Sequence, residues 1–187
     1  MKILLKAKAW QIFMITIGLP IIIEIIAIPF LVSDNPLFVM IAIPLISILC
    51  IIGFLCWFWS IAVGLQEKVP DGVKLKAIRF KAFFFIPLIY FVFIFSFSAF
   101  VSNGTTENGL ISNGVAMARL IRVIFPLHLF SMFCIFYCLY FVAKTFKTVE
   151  LQRAVTFSDF AGEFFLIWFF PVGIWIIQPR INKMVEI

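Results

Sequence analysis

Four long stretches of this chain are almost purely apolar, and the polar residues gather in the gaps between them. The stretches cover residues 10–32, 37–64, 82–101 and 123–143, and they contain a single carboxylate and a single imidazole. Each is long enough, as a helix, to cross a hydrocarbon core of about 30 Å. A helix also satisfies its own backbone hydrogen bonds where no water is available. The pattern therefore predicts four membrane-spanning α-helices.

The carboxyl-terminal region carries a shorter apolar run. Thr156 and Asp159 have the spacing of a capping box, which predicts a helix start directly after Thr156. The uncharged part of this helix covers only residues 164–177, and the Gln-Pro-Arg sequence at 178–180 is expected to end it. Such a run is too short to span a bilayer, and Pro171 with Gly173 in its middle is expected to bend it. We therefore expect an interfacial or re-entrant helix over about 157–177.

Three residues of this terminal segment are candidate interfacial anchors. Trp168 and Trp175 are two helical turns apart, so one continuous helix would present both indoles on the same face. Tryptophan is enriched at the headgroup level of membranes, and a cationic Arg180 suits the same depth. We expect Trp168, Trp175 and Arg180 to rest at the cytoplasmic surface.

Composition agrees with a chain that lies in lipid. The 187 residues are 64% hydrophobic and 18% aromatic, and the mean hydropathy is +1.17. These values exclude an ordinary soluble domain. The chain has no segment able to bury a separate soluble core, so the predicted fold is all-α, a single membrane domain built as a four-helix bundle with a short terminal helix.

The basic residues predict the orientation of the helices. Eleven Lys and Arg residues lie before the first span, between the second and third, and directly after the fourth, whereas the alternate gaps hold only Arg119 and Arg122. By the positive-inside rule, both termini are cytoplasmic in a multi-pass protein. The eleven residues are Lys2, Lys6, Lys8, Lys68, Lys74, Lys76, Arg79, Lys81, Lys144, Lys147 and Arg153.

The same distribution predicts the partners of the charged residues. The net charge of +6 is confined to the gaps between spans, which argues against a nucleic-acid-binding face. Anionic lipid headgroups at the cytoplasmic rim are the expected partners, at about 1 kcal/mol per basic residue near the surface.

Glu24 is the most unusual residue inside the spans. An unpaired carboxylate near the membrane centre costs about 2.5–3.5 kcal/mol on insertion scales, so Glu24 is expected to face the bundle interior. His128 has a similar predicted depth in the fourth span, and Arg122 lies about two turns further out. Two interpretations stay open for a contact of Glu24 with His128 or Arg122. It is either a proton or cation site or a purely structural clamp.

Other chemistry finds little support in the sequence. All four cysteines, Cys50, Cys56, Cys134 and Cys138, lie in apolar runs, and one histidine is too few for a soft-metal site. No serine, histidine and aspartate cluster can form at one depth. We expect neither a metal, nor a cofactor, nor an enzymatic activity.

The terminal segment also resembles a known group of proteins. The sequences EFF at 163–165, WFFPVGIW at 168–175 and QPRIN at 178–182 are similar to the end of an uncharacterised family of small bacterial inner-membrane proteins. The resemblance covers about the last third of the chain. It implies a location in the bacterial inner (plasma) membrane and no particular activity.

Two functional classes follow from these patterns. The favoured one is a non-enzymatic subunit or scaffold of a larger membrane assembly, with a membrane protein as its partner. The alternative is a small proton- or ion-coupled transporter or channel that uses Glu24. It would act as a homo-oligomer, because four helices enclose little water. An enzyme that acts on lipid is the least favoured class.

Overall fold

The computed structural model of this protein describes residues 2–32, 36–103 and 114–186. All regular elements within these residues are helical, which confirms the predicted all-α fold. A π-helical turn covers Met14–Gly18 and a 3₁₀ turn covers Gln66–Lys68. The α-helices, in chain order, are α1 (Lys2–Lys6), α2 (Ala9–Phe13), α3 (Leu19–Val32), α4 (Pro36–Gly64), α5 (Ala77–Asn103), α6 (Gly114–Leu151), α7 (Phe157–Trp168) and α8 (Phe170–Glu186).

Four helical stretches are long and apolar enough to cross a membrane, as the sequence predicts. They are Ala9–Ile26, Cys50–Lys68, Ala77–Phe97 and Leu120–Leu151. The chain is therefore a multi-pass membrane protein. The two gaps assigned to the outer side fall largely at 33–35 and 104–113, which lie outside the described residues.

The chain divides into two compact units. The first unit comprises Met1–Leu75 and Phe141–Ile187, and the second comprises Lys76–Tyr140. The amino-terminal helices and the carboxyl-terminal helices thus belong to the same unit. That the whole chain forms one transmembrane domain stays a prediction.

In the first unit, the amino-terminal helices run antiparallel to α4. A Cβ placed on Gly64 would lie 2.6 Å from Leu5, and one placed on Gly53 would lie 2.8 Å from Thr16. The two contacts are eleven residues apart in each of the two helical segments, so the segments keep the same antiparallel alignment from one contact to the other. The absence of side chains at both glycines lets the helices approach closely.

The first span leaves regular α geometry directly before a proline. The Leu19 N–H donates to the carbonyl of Met14, five residues back, which closes a π-helical turn. The next residue, Pro20, has no N–H with which to continue the α pattern. Inserting one π turn shifts the hydrogen-bond register at this point, which explains how the helix continues through the proline.

The carboxyl-terminal segment is a helical hairpin. The chain bends at Phe169, whose carbonyl accepts hydrogen bonds from the N–H groups of Val172 and Gly173. A Cβ on Gly173 would lie 1.8 Å from the carbonyl oxygen of Leu166, so α8 begins in direct contact with the last turn of α7. Glycine is required there because any side chain would meet backbone.

This hairpin corrects two sequence predictions. The expected single helix over 157–177 is broken at Phe169 into α7 and α8. The expectation that residues 178–180 end the helix is also wrong, because α8 continues through Pro179 to Glu186. Gln178 and Arg180, on either side of the proline, both make side-chain hydrogen bonds that hold the helix in place across the missing backbone bond.

In the second unit, α5 and the first part of α6 are antiparallel and meet through aromatic rings. The rings of Phe83 and Tyr137 are 4.6 Å apart, and Tyr90 contacts His128 seven residues further along α5. Most of the large apolar side chains on both helices are exposed, as a surface in lipid requires.

The close approach at Gly173 predicts a large effect of a single methyl group. We expect Gly173→Ala to lower the free energy of unfolding by at least about 1–3 kcal/mol, because the backbone of Leu166 would have to move. Thermal unfolding in mild detergent measures this change.

Gly162→Ala is the matched control. Gly162 lies in α7 with open space around it, and alanine favours a helix by about 0.8–1.0 kcal/mol over glycine. The control should be neutral or stabilising. Equal stability of the two variants would contradict the hairpin geometry.

Candidate functional site

The polar residues of the hairpin lie on its buried face. In α8, Ile174, Ile177, Gln178 and Ile181 recur at helical spacing and are all buried. In α7, Glu163 lies on the same face as Phe160 and Ile167, which are fully buried. A buried polar group must be hydrogen-bonded or it destabilises the fold. The site is therefore defined by the partners that Gln178 and Glu163 find.

The Gln178 amide connects three parts of the first unit. Its Oε1 accepts a hydrogen bond of 2.8 Å from the indole Nε1 of Trp57 on α4. Its Nε2 lies 3.0 Å from the carbonyl oxygen of Leu4, 3.3 Å from that of Leu5 and 2.9 Å from that of Ala7. One side chain thus joins α8 to α4 and to the end of α1.

These carbonyls belong to the end of a short helix, where no intrahelical donor is available. Asn182, one turn beyond Gln178, also donates to the Ala7 carbonyl at 3.1 Å and accepts from the Gln178 amide at 2.9 Å. We call this arrangement the terminal clamp: the side chains of Gln178, Asn182 and Trp57 with the carbonyls of Leu4, Leu5 and Ala7. It holds the amino-terminal segment against the carboxyl-terminal helix.

A four-residue ion-pair cluster lies at the base of the hairpin. Arg180 binds Glu150 through two hydrogen bonds of 2.7 and 2.6 Å and reaches Glu163 at 2.7 Å. Lys147 lies 2.9 Å from both carboxylates. The Arg180 guanidinium also stacks over the Phe146 ring, 4.8 Å from its centroid. The cluster ties α6, α7 and α8 together.

The cluster is electrically balanced, with two cations and two anions. Burial raises the pKa of Glu163, but hydrogen bonds from Lys147 and Arg180 outweigh it and lower that pKa overall. The hydrogen bonds that Arg180 donates to Glu150 raise the pKa of Arg180 above its usual value. Both groups therefore stay charged near neutral pH and satisfy each other, which leaves no net charge in the cluster for a ligand.

The predicted capping box at the start of α7 is confirmed. The Asp159 carboxylate accepts a hydrogen bond of 2.8 Å from the Thr156 backbone N–H and one of 2.9 Å from its hydroxyl. Arg153 pairs with the same carboxylate at 2.8 Å. The hydrogen bond from Arg153, followed by those from Thr156, lowers the pKa of Asp159 well below its ordinary range.

Glu24 lies on an exposed part of the first unit. Its side chain is exposed and lies among exposed apolar residues of α3, including Ile21, Ile22, Ile25 and Ile26. Within the first unit Glu24 therefore lies outside the core; that it faces the interior of a four-helix bundle stays a prediction. Within the residues that the structure describes, no hydrogen bond or ion pair joins Glu24 to another side chain.

His128 and Arg122 belong to the second unit, whereas Glu24 belongs to the first. His128 makes a hydrogen bond to the Tyr90 hydroxyl, with 3.1 Å between the oxygen and Nδ1. The Arg122 side chain is exposed. A contact of Glu24 with either residue stays a prediction.

The three predicted interfacial anchors separate in the structure. Trp168 ends α7 and Trp175 lies in α8, so the expectation that they share one face of a continuous helix is wrong. Both indoles are about half exposed. Arg180 is the central cation of the ion-pair cluster, and a role at the headgroup level stays a prediction for all three.

Sequence reasoning overlooked Gln178 of the terminal clamp and the two carboxylates of the ion-pair cluster, Glu150 and Glu163. The spacing Ile174, Ile177, Gln178, Ile181 places an amide within an apolar helix face, and that pattern alone signals a buried partner. Interpreting Gln178 as a helix stop hid this signal. The Tyr90 partner of His128 was missed because no pattern links residues on separate apolar helices.

Comparison with known proteins identifies no relative. No protein-family model matches the sequence, and neither the curated proteins nor the solved structures contain a significant match. Among the described residues, no group of three or more histidine, cysteine or acidic side chains is arranged to hold a metal ion. The resemblance to a family of bacterial inner-membrane proteins stays a prediction.

The terminal clamp predicts that one amide stabilises several elements. Gln178→Leu leaves more than one buried carbonyl without a donor, at about 1–3 kcal/mol each, so we expect a loss of about 3 kcal/mol. Trp57→Phe removes one hydrogen bond, worth about 1 kcal/mol, and also shrinks a fully buried ring, so it should cost more than the bond alone.

A double-mutant cycle with these two variants isolates the contact itself. Unfolding in mild detergent should give a coupling energy of about 0.5–3 kcal/mol for residues that share a hydrogen bond. Strictly additive effects would contradict the Trp57 to Gln178 bond.

The ion-pair cluster predicts a pH-dependent stability. The pKa of Glu163 in the folded protein is lower than its ordinary value of 4.5, so the stabilisation from its ion pairs is fully present above that pH. It is lost as the pH falls through the lower folded value. Arg180→Met should lower stability by about 1–3 kcal/mol near neutral pH and reduce the loss on acidification.

Lys183→Met is the control, because it removes one positive charge from an exposed position of the same helix. Melting temperatures are compared between roughly pH 7 and pH 3. If Arg180→Met kept the pH dependence of the unmodified protein, the proposed stabilisation of Glu163 by Arg180 would be refuted.

Proposed function

We propose that this protein is a non-enzymatic subunit or scaffold of a larger membrane assembly. The proposal rests on a contrast between Glu24 and three other acidic residues of the first unit. Glu150, Glu163 and Asp159 all bind cations within the chain. Glu24 is exposed on an apolar helix.

A carboxylate in this position favours an intermolecular partner. On insertion scales an unpaired acid near the middle of a span costs about 2.5–3.5 kcal/mol, which a cationic or hydrogen-bonding group on a neighbouring helix offsets. The surrounding exposed isoleucines of α3 provide an apolar surface for that helix to pack on. A partner membrane protein with a basic or polar residue at this depth fits both features.

The internal polar groups support a structural role. The terminal clamp and the ion-pair cluster pair their donors, acceptors and charges within the chain, and they connect helices to one another. Such a network fixes the relative positions of helices and gives a rigid platform. Catalysis requires an acid, base or nucleophile that is free to react. The charged groups of this network are instead bound to one another in ion pairs.

The charge distribution supports the location of the assembly. With both termini and the loop after α4 in the cytoplasm, the basic residues meet anionic headgroups on the inner surface of a bacterial plasma membrane. The terminal clamp joins the two ends of the chain, which is consistent with their lying on one side.

Purification of tagged protein in mild detergent tests the proposal. We expect a stoichiometric membrane partner whose recovery falls about tenfold in Glu24→Gln, because a lost contact of about 1.4 kcal/mol corresponds to that factor. Asp71→Asn is the matched control, since it removes an exposed acid outside the spans, and it should leave recovery unchanged.

Two outcomes would contradict the subunit proposal. One is purification as a homo-oligomer with no companion, together with proton- or ion-coupled uptake into vesicles that Glu24→Gln abolishes. This result would establish the transporter alternative. The other is a partner whose recovery does not depend on Glu24, which would remove the observation on which the proposal rests.

A further inference from the structure

The tip of the α7–α8 hairpin is a large exposed apolar surface. Its side chains are mostly aromatic, and each is between 42% and 65% exposed. Exposed apolar patches of this kind mark contacts with lipid or with another protein. The residues of this hairpin tip are Phe165, Trp168, Phe169, Val172, Trp175 and Ile176.

The position of the tip along α4 indicates which of these surroundings it meets. Phe170, directly after the bend, packs against Phe54 and Trp57 with ring centroids 4.6 and 5.3 Å apart. Phe54 lies ten residues before the end of α4 at Gly64, which corresponds to about 15 Å along a helix. That distance is about half of a hydrocarbon core of ~30 Å. Since α4 belongs to a span, the tip lies deep beside it.

The opposite end of the hairpin is polar. Arg153 and Asp159 form an exposed ion pair at the start of α7, and Lys183 is exposed near the end of α8. The Lys68 ammonium, just beyond α4, donates to the Met184 carbonyl. The base therefore lies beside the charged end of the second span, while the tip points along that span towards its middle.

The backbone of the tip is suited to a medium without water. The N–H of Phe169 donates to the Phe165 carbonyl, and the N–H groups of Val172 and Gly173 donate to the Phe169 carbonyl. Pro171 carries no N–H in the first turn of α8, where an amide would lack an intrahelical acceptor. Irregular backbone is tolerated at membrane depth only when its polar groups are satisfied in this way.

We propose that the α7–α8 hairpin is a re-entrant element that enters the bilayer from the side of the chain termini and returns to it. The hairpin tip contacts lipid acyl chains near the middle of the membrane. This inference is independent of the proposed subunit role, which rests on Glu24. It also replaces the headgroup position expected for Trp168 with a deeper one.

Tryptophan fluorescence in vesicles of phosphatidylcholine and phosphatidylglycerol tests the depth. The phosphatidylcholine carries bromine either close to the headgroup or close to the ends of the acyl chains, and bromine quenches indoles at its own depth. The fluorescence of Trp168 is the difference between the emission of the unmodified protein and that of the Trp168→Phe variant. The fluorescence of Trp10 is obtained in the same way from the Trp10→Phe variant. Both indoles are exposed, so neither substitution disturbs the core.

Trp10 is the matched control for a shallow position. The antiparallel register of Leu5 with Gly64 and Thr16 with Gly53 puts Trp10 level with the last turns of α4. We expect bromine near the chain ends to quench Trp168 at least twofold more than bromine near the headgroup, with the order reversed for Trp10. The proposal would be overturned if bromine near the headgroup quenched Trp168 most strongly. It would also be overturned if bromine at neither depth quenched Trp168, because protein would then cover the tip.

A second pair of variants tests the same claim without fluorescence. Val172→Asp introduces a charge at the exposed tip, and Ser158→Asp introduces the same charge at the exposed base. In lipid nanodiscs we expect a clear loss of melting temperature for Val172→Asp and little change for Ser158→Asp. Equal melting temperatures for the two variants would contradict insertion of the tip.

Discussion

The amide of Gln178 makes buried hydrogen bonds with Trp57 and with the amino-terminal segment, where Asn182 shares the Ala7 carbonyl with it. It is fully buried, yet it reaches an indole on α4 and three carbonyls at the end of α1. Where water is excluded, each of these groups would otherwise cost several kcal/mol. The position of the amino-terminal segment follows from this requirement, because α1 is too short to be stable by itself. The two ends of the chain are consequently held together.

The ion-pair cluster extends the same principle to charges. Glu163 on α7 finds both of its cations on other helices, Lys147 on α6 and Arg180 on α8, so pairing this carboxylate requires the three helices to meet. The hairpin is thereby fixed at its base, and the contact at Gly173 fixes it at its tip. A rigid element with a polar base and an aromatic tip is the natural outcome. Glu24 has no such cation described beside it, and the proposed subunit role rests on that difference.

The sequence predicted the features that depend on local chemistry. Apolar length identified the four membrane-spanning helices, and the Thr156 and Asp159 spacing identified the start of α7. It failed where distant residues decide the outcome. Pro179 appeared to end a helix because the side chains that hold α8 on either side of it bind α6 and the amino terminus, far away in the sequence. Pro171 and Gly173 indicated a bend in the terminal run, but its position at Phe169 depends on the contact of Gly173 with the backbone of Leu166, which has no sequence pattern.

The terminal clamp joins the amino-terminal segment to α8, and we propose that both termini therefore lie on one side of the bilayer. Reporter tags fused in turn to the amino and carboxyl termini, and read out in intact cells by a membrane-impermeant reagent, test it most directly. The account predicts that both tags are protected in intact cells and become reactive only after the membrane is permeabilised, as two cytoplasmic ends require. Reaction of one tag but not the other in intact cells would place the termini on opposite sides and contradict the account.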